Sequence, residues 1–461
     1  MCGQIAAMLP LPMGIPQLLA GFALPLALAA PAGAEAVLRV GTSGDYPPFS
    51  LASPLTPDGI DGFDVVLARA YAEERGLAVE FVRFGWPRLA ADLAAGRFDV
   101  AMSGVTVRPD RSLVGRFSVP VVESGAVVLV HEHSTASNLD ELDQRRYRIG
   151  VNAGGHLERV ARQQFARASL LFIPENGSVL QALLAQDVDA VVTDTLEAPL
   201  WAKQAGEVKR LGPFTRDRKA FLVGAERGEL VADLDRWLLA READGRMAAL
   251  RRRWFGAASR QPVTTPLLAL VAATDERLAL MPWVVAAKRR DVRPIADPAR
   301  EEKVIEAGLA AVVAAAEAGG RPAPPDEAVR AFFRAQIEAA KQVQLAAGRD
   351  EAFEPAEPVP DLETELRPAL IRIGERIANL LVGLPEGLGE AQVAAACRDG
   401  LRSPWLGHRD AGALARAIFE VAAAARGSED TPASTSAAIP RQKDEQHEEP
   451  SADHGRSPSH Q

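Results

Sequence analysis

The hydrophobic pattern of the chain changes near Trp254, and this change limits the fold more than any single motif does. Before that point, strand-like runs such as VLRVGT and AVEFVRF alternate with amphipathic segments such as FDVVLARAYAEERG and PRLAADLAAG. Such alternation is typical of an α/β domain with a largely parallel sheet. After the polar segment SRQPVTTP only helical periodicity remains, which predicts a second, all-α domain.

Four long helical segments make up most of the second half, at residues 267–291, 300–318, 325–347 and 361–384, and Pro282 should kink the first. We therefore expect a multidomain chain: an α/β domain over 35–257, a linker at 258–265 and an all-α bundle over 266–426. Residues 427–461 are rich in Ser, Pro and charged side chains, and this composition predicts a tail without a packed core.

The α/β half contains an internal echo, because LAAGRFDVAMSG (93–104) and LLAQDVDAVVTD (183–194) align without gaps. Each is a helix end, a turn, an Asp and a buried strand that ends in polar residues, which predicts two similar lobes. Ligands of such sheets lie beyond the carboxyl ends of the strands. Ser103, Gly104, Thr193 and Asp194 are therefore expected at one shared cleft.

Charge and hydropathy narrow the classes of partner. The net charge of -9 comes from mixed acidic and basic residues without a basic stripe, which argues against nucleic acid. Residues 17–34 are apolar and end in Ala32-Gly33-Ala34, so we expect a signal peptide over 1–34, cleavage after Ala34 and a periplasmic or secreted protein. An uncleaved buried helix is the alternative, because the first basic residue is Arg39. No later segment is long and apolar enough for a membrane span.

Charged residues recur at helical spacing in the second half. Arg277 and Lys288 are eleven residues apart, close to three turns, which predicts both cations on one helix face. In RPIADPARE (293–301), Asp297, Arg300 and Glu301 share a face at i, i+3 and i+4. Any one of these residues is more simply a solvated charge. The whole set at these spacings predicts a site for a small dianion.

These segments, with QIEAAKQVQ (336–344) and DLETELRP (361–368), resemble the AroQ class of chorismate mutases, specifically the secreted gamma type in which one chain builds the whole site. The resemblance covers about 160 residues and implies conversion of chorismate to prephenate without a cofactor or metal. It implies three roles: carboxylate binding by Arg277, Arg300 and Arg367, contact with the ether oxygen by Lys288 and Gln344, and contact with the ring hydroxyl by Glu301 and Asp297. Ala340 stands where many relatives carry a hydroxyl group.

The first half resembles the extracellular amino-acid-binding proteins through GTSGDYPPFS (41–50), GFDVVLA (62–68), AMSGVTVRPDR (101–111) and FSVP (117–120). That resemblance implies a two-lobed cleft in which Arg111, helped by Ser103 and Thr106, binds a ligand carboxylate. Asp194 would meet an amino group or another polar substituent. The same cleft can carry its ligand or transform it, so fold does not settle function.

Other segments are similar to periplasmic cyclohexadienyl dehydratases, which act on prephenate or arogenate: TSGDYPPFS with Tyr46, Trp86-Pro87, VNAGG with Asn152, PENGSVLQALLAQDVDAVVTD and TDTLEA (193–198). This similarity implies that Glu197 is the general acid and that Tyr46, Trp86 and Asn152 contact the substrate. Asp194 and Glu197 also have the spacing of a helix capping box, which is an equally good local interpretation. His156-Leu157 replaces the usual Thr-Asn; an ordinary surface histidine is slightly favoured over a substrate contact.

The two halves together predict a bifunctional enzyme of phenylalanine formation, chorismate mutase plus prephenate or arogenate dehydratase, whose partners are these small molecules. The alternative keeps the mutase and makes the first half a non-catalytic binding domain for an amino acid or carboxylate. Nothing in the composition excludes a homo-oligomer.

Overall fold

The computed structural model describes residues 36–256, 261–351, 353 and 358–427. The signal peptide and cleavage site expected in residues 1–34, the first part of the expected linker, and the tail beyond residue 427 lie outside the described residues. Within the described ranges, no helix is both long and apolar enough to cross a bilayer.

The first lobe carries the amino-terminal elements, and the chain returns to it after the second lobe. Its outgoing strands are β1 Val37–Thr42, β2 Asp45–Tyr46, β3 Ser50–Ala52, β4 Ile60–Asp61, β5 Ala78–Arg83, β6 Val100–Ala101, β7 Gly115–Phe117 and β8 Val122–Ser124. Its outgoing helices are α1 Phe63–Arg75, α2 Leu89–Ala94 and α3 Pro109–Val114, with a 3-10 turn at Trp86–Arg88.

The second lobe has the same kind of layering, with helices packed around one mixed sheet. Its strands are β9 Ala126–His131, β10 Arg148–Asn152, β11 Ser169–Ile173, β12 Ala190–Asp194 and β13 Val208–Leu211. Its helices are α4 Leu139–Leu142, α5 His156–Gln164, α6 Asn176–Leu184 and α7 Ala198–Ala205. The chain then returns through β14 Asp217–Lys219, β15 Leu222–Gly224, α8 Gly228–Ala243 and α9 Arg246–Phe255.

The two five-stranded sheets have matching orders, β5-β1-β6-β15-β7 and β11-β10-β12-β9-β13. In each, one strand, β15 or β9, runs antiparallel to its neighbours and the others are parallel. The echoed segments end in β6 and β12, the central strands of the two sheets. The prediction of two lobes with largely parallel sheets is therefore confirmed. The strands that cross between lobes, β8 and β14, pair antiparallel at the base of the cleft.

The second half is all-α, as predicted, with α10 Pro266–Ala279, α11 Met281–Arg290, α12 Pro298–Gly319, α13 Asp326–Arg349, α14 Arg367–Val382, α15 Glu390–Gly400 and α16 His408–Gly427. The first predicted helix is two helices, because Pro282 stands in the first turn of α11 and α10 ends before Leu280. A π-helical turn at Leu362–Leu366 precedes α14, which begins at Arg367.

The helical half packs on the first lobe mainly through α14, which contacts α3, β7 and α8. The segment before α10 is also held, because Thr264 Oγ1 donates to the Pro120 carbonyl over 2.9 Å. Four ion pairs among the described residues cross the boundary: Arg116 with Glu375 at 2.6 Å, Arg218 with Asp275 at 2.6 Å, Arg376 with Asp235 at 3.4 Å, and Arg402 with Glu123.

Candidate active sites

Arg111 is a buried cation at the cleft between the two lobes. It lies on the short helix α3 with 3% of its surface exposed, and its Nη1 donates to the Thr106 carbonyl over 2.9 Å. Its guanidinium carbon lies 5.8 Å from the ring centre of Trp86. Burial, and then repulsion from Arg108, lowers the pKa of Arg111 to about 9, so it remains a cation at neutral pH. No carboxylate of the described residues pairs with it, which leaves it available for an anionic ligand.

Asp194 and Tyr46 meet across the cleft, where Tyr46 donates its hydroxyl hydrogen to Asp194 Oδ2. Lys219, on β14, completes this cluster, with its Nζ 2.9 Å from the Tyr46 hydroxyl and 3.3 Å from Asp194 Oδ2. The same Nζ reaches the Gly104 carbonyl at 3.2 Å and Thr106 Oγ1 at 3.4 Å. Sequence reasoning missed Lys219. The sequence signal for it was a lysine directly before the apolar run AFLV (220–223), whose residues are all buried.

Glu197 has no exposed surface, and its carboxyl group is held by neutral donors. Asn176 Nδ2 donates to Glu197 Oε1 and Thr193 Oγ1 donates to Oε2, each over 2.7 Å. Burial, and then the nearby charge of Asp194, raises the pKa of Glu197 well above its ordinary value. Burial of this kind favours the protonated form of a carboxyl group. Asn176 lines the cleft, so it separates Glu197 from the ligand space.

The capping interpretation of this segment is half right. Asp194 Oδ1 accepts the backbone N–H groups of Leu196 and Glu197, over 2.8 and 2.9 Å, as a capping residue does. The Glu197 side chain makes no cap hydrogen bond and is directed to Asn176 and Thr193 instead. Hydrogen bonding to the local backbone therefore explains the position of the Asp194 side chain. It does not explain why Glu197 is buried.

The remaining predicted cleft residues divide into two groups. Thr106, Trp86 and Asn152 line the cleft, and Asn152 Nδ2 donates to the carbonyls of Ile173 and Pro174, each over 3.2 Å. Ser103 lies behind it, buried, with its Oγ 2.7 Å from Ser50 Oγ and accepting the Ser43 N–H. Ser103 therefore fixes the loop that carries Ser43 and Ser50.

The expectation of an ordinary surface histidine at residue 156 is wrong. His156 lines the cleft, its side chain is 14% exposed, and its Nε2 lies 3.0 Å from Asp217 Oδ1. Burial lowers its pKa, although Asp217 opposes that shift. The paired glycines at 154 and 155 place the start of α5 at the cleft, and this turn geometry brings His156 inward.

In the helical half, Arg277 lies near the end of α10 and its Nη1 donates to the Leu370 carbonyl on α14 over 2.9 Å. Burial, and then repulsion from Arg300, lowers its pKa to about 10. Its Nε is buried with no hydrogen-bond partner in the part of the chain that the structure describes. The prediction that Arg277 and Lys288 lie on one continuous helix was wrong, since Arg277 lies on α10 and Lys288 on α11. Arg277 nevertheless lies close enough to Arg300 for repulsion.

Lys288 is half-buried on α11 and donates from Nζ to the Ile295 carbonyl over 2.7 Å. Burial lowers its pKa, Asp297 and Glu301 raise it, and Arg367 lowers it. These interactions require that α11, the start of α12 and the start of α14 bring their charges together. Arg367 also pairs with Glu363 one turn earlier.

Asp297 and Glu301 form a capping box at the start of α12. Asp297 Oδ1 accepts the Arg300 N–H over 3.0 Å, and Glu301 Oε1 accepts the Asp297 N–H over 3.1 Å. Glu301 Oε2 also lies 3.1 Å from Lys341 Nζ. Both carboxylates therefore have a structural role, and contact with a substrate hydroxyl stays a prediction for each.

Gln344 is 4% exposed on α13, and its Nε2 donates to the Ala340 carbonyl over 3.2 Å and toward the Met281 sulfur over 3.5 Å. Its Oε1 has no hydrogen-bond partner among the described residues. A buried amide oxygen without a hydrogen-bond partner is costly. Gln336, about two turns earlier on α13, likewise has a buried Nε2 without a described partner.

No group of three or more His, Cys, Asp or Glu side chains in the described ranges has the geometry of a metal site. The cavities and clusters above are built from cations, amides and single carboxyl groups. The cations among them are groups that bind and orient carboxylates.

Comparison with known families matches each half to a different one. Residues 38–257 match the bacterial extracellular solute-binding proteins, family 3, and residues 268–345 match chorismate mutase type II. Cyclohexadienyl dehydratase of Pseudomonas aeruginosa is 33% identical over 224 residues, covering 48% of this chain and 82% of that protein. L-cystine-binding protein TcyJ of Escherichia coli K12 is 26% identical over 223 residues, covering 48% and 83%.

A solved structure of the ancestral amino acid-binding protein AncCDT-1, a precursor of cyclohexadienyl dehydratase, is 32% identical to this chain. It covers 48% of this chain and 95% of its own, with a TM-score of 0.45.

Proposed function

Since the chain belongs to the family 3 solute-binding proteins and also carries a type II chorismate mutase domain, we propose that it converts chorismate to phenylpyruvate in two steps. The helical half would form prephenate, and the α/β half would dehydrate and decarboxylate it. The fully buried Glu197, held only by neutral donors, is the observation that carries the second step.

The mutase step needs no nucleophile and no base. Chorismate rearranges when the ether C–O bond breaks as a new C–C bond forms, so the protein must hold the compact conformer and stabilise negative charge on the ether oxygen. Arg277, Arg300 and Arg367 would hold the two carboxylates. Lys288 and the Gln344 amide would face the ether oxygen, and donors of this kind contribute roughly 3 to 4 kcal/mol each in other enzymes. The buried Arg277 Nε, which has no hydrogen-bond partner among the described residues, supports an anionic ligand here.

The dehydratase step needs one proton. Glu197 would donate it to the C4 hydroxyl of prephenate as the C4–O bond breaks and water leaves. The bond between C1 and its carboxylate breaks at the same time, releasing CO2, and its electron pair enters the ring to complete the aromatic system. Arg111 would hold the carboxylate of the side chain. Because Asn176 and Tyr46 stand between Glu197 and the cleft, we infer that substrate binding moves Asn176 aside.

The second candidate makes the α/β half a binding domain without catalysis. Its support is the similarity to amino-acid-binding proteins, including the cystine-binding protein above and an arginine-binding protein of Bacillus subtilis at 25% identity. A fused mutase then produces prephenate that the same chain does not consume.

Purified protein supplied with prephenate separates the two candidates. We expect release of phenylpyruvate and CO2 in equal amounts, and no tight binding of free amino acids by calorimetry. Stoichiometric binding of arginine or glutamine, with prephenate left unchanged, would establish the binding domain and overturn the dehydratase. We also propose export to the periplasm, which a fractionation of cells expressing the full chain would test.

A further inference from the structure

The carboxylate best placed to bind an amino group in the cleft is already fully engaged. Asp194 Oδ1 accepts two backbone N–H groups, and Oδ2 accepts the Tyr46 hydroxyl and faces Lys219 Nζ at 3.3 Å. Both charged side chains are buried, at 4% exposure for Lys219 and 2% for Asp194. A ligand ammonium group would have to displace Lys219 to reach this carboxylate.

One cation at the cleft has no carboxylate partner among the described residues. Lys219 pairs with Asp194, and His156 lies beside Asp217. Arg111 remains without a described carboxylate partner. Asp64 is nearby, but it lies behind the cleft and accepts the Gly104 N–H over 2.5 Å. The cleft therefore suits an anion that brings no positive charge of its own.

Resting on the proposed dehydratase function, we propose that Lys219 makes the cleft selective for the keto acid prephenate over its amino counterpart arogenate. The two substrates share the ring, its hydroxyl group and both carboxylates. They differ in the side chain, where arogenate carries an ammonium group. In a closed cleft that ammonium group would lose its hydration, and Asp194, already paired with Lys219, could not accept a hydrogen bond from it. The ammonium group would also lie near two cations, Lys219 and Arg111. Such a mismatch disfavours arogenate strongly relative to prephenate.

The test compares kcat/KM for prephenate and arogenate in the full chain, for the unmodified protein and for Lys219→Met. We expect the unmodified protein to prefer prephenate by about 100-fold or more, which is the size of discrimination that an unpaired buried polar group produces. Lys219→Met frees Asp194 and should reduce the preference to less than about tenfold. Lys209→Met is the matched control, because Lys209 lies on β13 and donates to the Ser134 carbonyl, away from the cleft. It should keep the preference.

Equal use of both substrates by the unmodified protein would overturn the proposal, whether or not Lys219→Met folds. Retained turnover of prephenate by Lys219→Met would show that the α/β half of the variant is folded. If neither substrate turns over, the dehydratase function fails, and calorimetry then tests selectivity alone. In that case phenylpyruvate should bind and phenylalanine should not, and the opposite order would refute the role of Lys219.

A separate observation points to a second small-molecule site. A cavity of ≈ 490 Å³ lies between the halves, where β7 and α8 face α14, and its volume is that of ordinary ligand sites. Apolar side chains form much of its wall, among them Phe117, Leu239 and Ile373. Arg372 also lines it and donates only to the carbonyls of Ser112 and Leu113, over 3.0 and 2.7 Å.

The other buried cations of this cavity have partners. Arg116 pairs with Glu375 at 2.6 Å and Arg376 with Glu276 at 3.0 Å. No described carboxylate pairs with Arg372, and its Nε is buried without a described hydrogen-bond partner. We propose that this cavity binds a small monocarboxylate with an apolar body, with the carboxylate on Arg372.

Calorimetry with 3-phenylpropionate on the Arg111→Gln protein tests this second site, because that variant disables the cleft. We expect binding in the range of about 1 mM or tighter, and a loss of about tenfold or more when Arg372→Gln is added. Arg321→Gln is the control, since Arg321 also borders the cavity but is exposed, and it should change affinity less than about twofold. No heat at all, or heat that Arg372→Gln leaves unchanged, would overturn the proposal.

Discussion

The cleft of the α/β half and the charged cluster of the helical half differ in the groups they contain, a buried acid in the first and several cations in the second. In the cleft, Glu197 is completely buried and its pKa is raised, whereas in the helical half Lys288 and Arg277 are partly exposed and their pKa values are lowered. Burial thus favours a neutral acid in one site, while in the other burial, and then repulsion from Arg300, lowers the pKa of the cation Arg277. Proton donation needs the first arrangement, and a rearrangement without proton transfer needs only the second.

The largest effect is expected when the proposed general acid, Glu197, is replaced. Glu197→Gln keeps the shape and both hydrogen-bonded neighbours but cannot donate a proton, so dehydratase kcat should fall by about 10²–10⁴. Mutase activity of the same protein should be unchanged, since its site lies in the other half. Glu175→Gln, an exposed glutamate before α6, serves as the control and should retain full activity in a coupled assay of both steps. Full dehydratase activity in Glu197→Gln would assign the acid to another residue.

A substitution in the cation cluster of the helical half should affect the mutase alone. Lys288→Ala removes a donor from the proposed ether-oxygen contact, and mutase kcat should fall by about 10²–10³. Turnover of added prephenate should be unaffected. Lys303→Ala, on the exposed face of α12, is the control. Steady-state kinetics on chorismate and on prephenate separate the two effects, and parallel losses in both reactions would show general unfolding instead.

The two sites should also respond differently to pH. Because burial raises the pKa of Glu197, the acid is protonated below that pKa and is lost as pH rises through it. Dehydratase kcat is then level at lower pH and falls about tenfold per pH unit above the raised pKa. The mutase depends on the charge of Lys288, so Lys288→Arg should extend mutase activity to higher pH without moving the dehydratase limb. A dehydratase rate that rises with pH would contradict the role of Glu197.

The smallest expected effect concerns a missing hydroxyl group. Ala340 is buried one turn before Gln344, and its carbonyl accepts the Gln344 amide. Ala340→Ser adds a donor at this face and should raise mutase kcat/KM by about two- to tenfold, the value of one additional hydrogen bond. Ala339→Ser, at a buried neighbouring position, controls for the cost of placing a hydroxyl group in the core. A lower kcat/KM in Ala340→Ser would remove residue 340 from the proposed contact set.

The layout of the two halves could be predicted from sequence because periodicity is local. Alternating strands and helices, the echo ending at Gly104 and Asp194, and the start of α14 at Arg367 all follow from short-range patterns. The break after Ala279 was underestimated, because a proline ends one helix and starts another when it falls in a first turn.

The cleft was only partly predictable because its chemistry depends on contacts between distant residues. Lys219 meets Tyr46 from 173 positions away, and no spacing rule reports such a pair. The exposure of His156 was predicted wrongly because the turn at Gly154 and Gly155, and not the residue type, determines that its side chain lies in the cleft. For Asp297 and Glu301, the local capping box is present whether or not a substrate binds, so sequence pattern alone does not separate the two roles.

A time course on chorismate, following prephenate and phenylpyruvate in the same sample of the full chain, tests the central claim most directly. The account predicts that prephenate rises briefly and phenylpyruvate then accumulates to the amount of chorismate supplied. Accumulation of prephenate to that amount, without phenylpyruvate beyond a protein-free control, would contradict it.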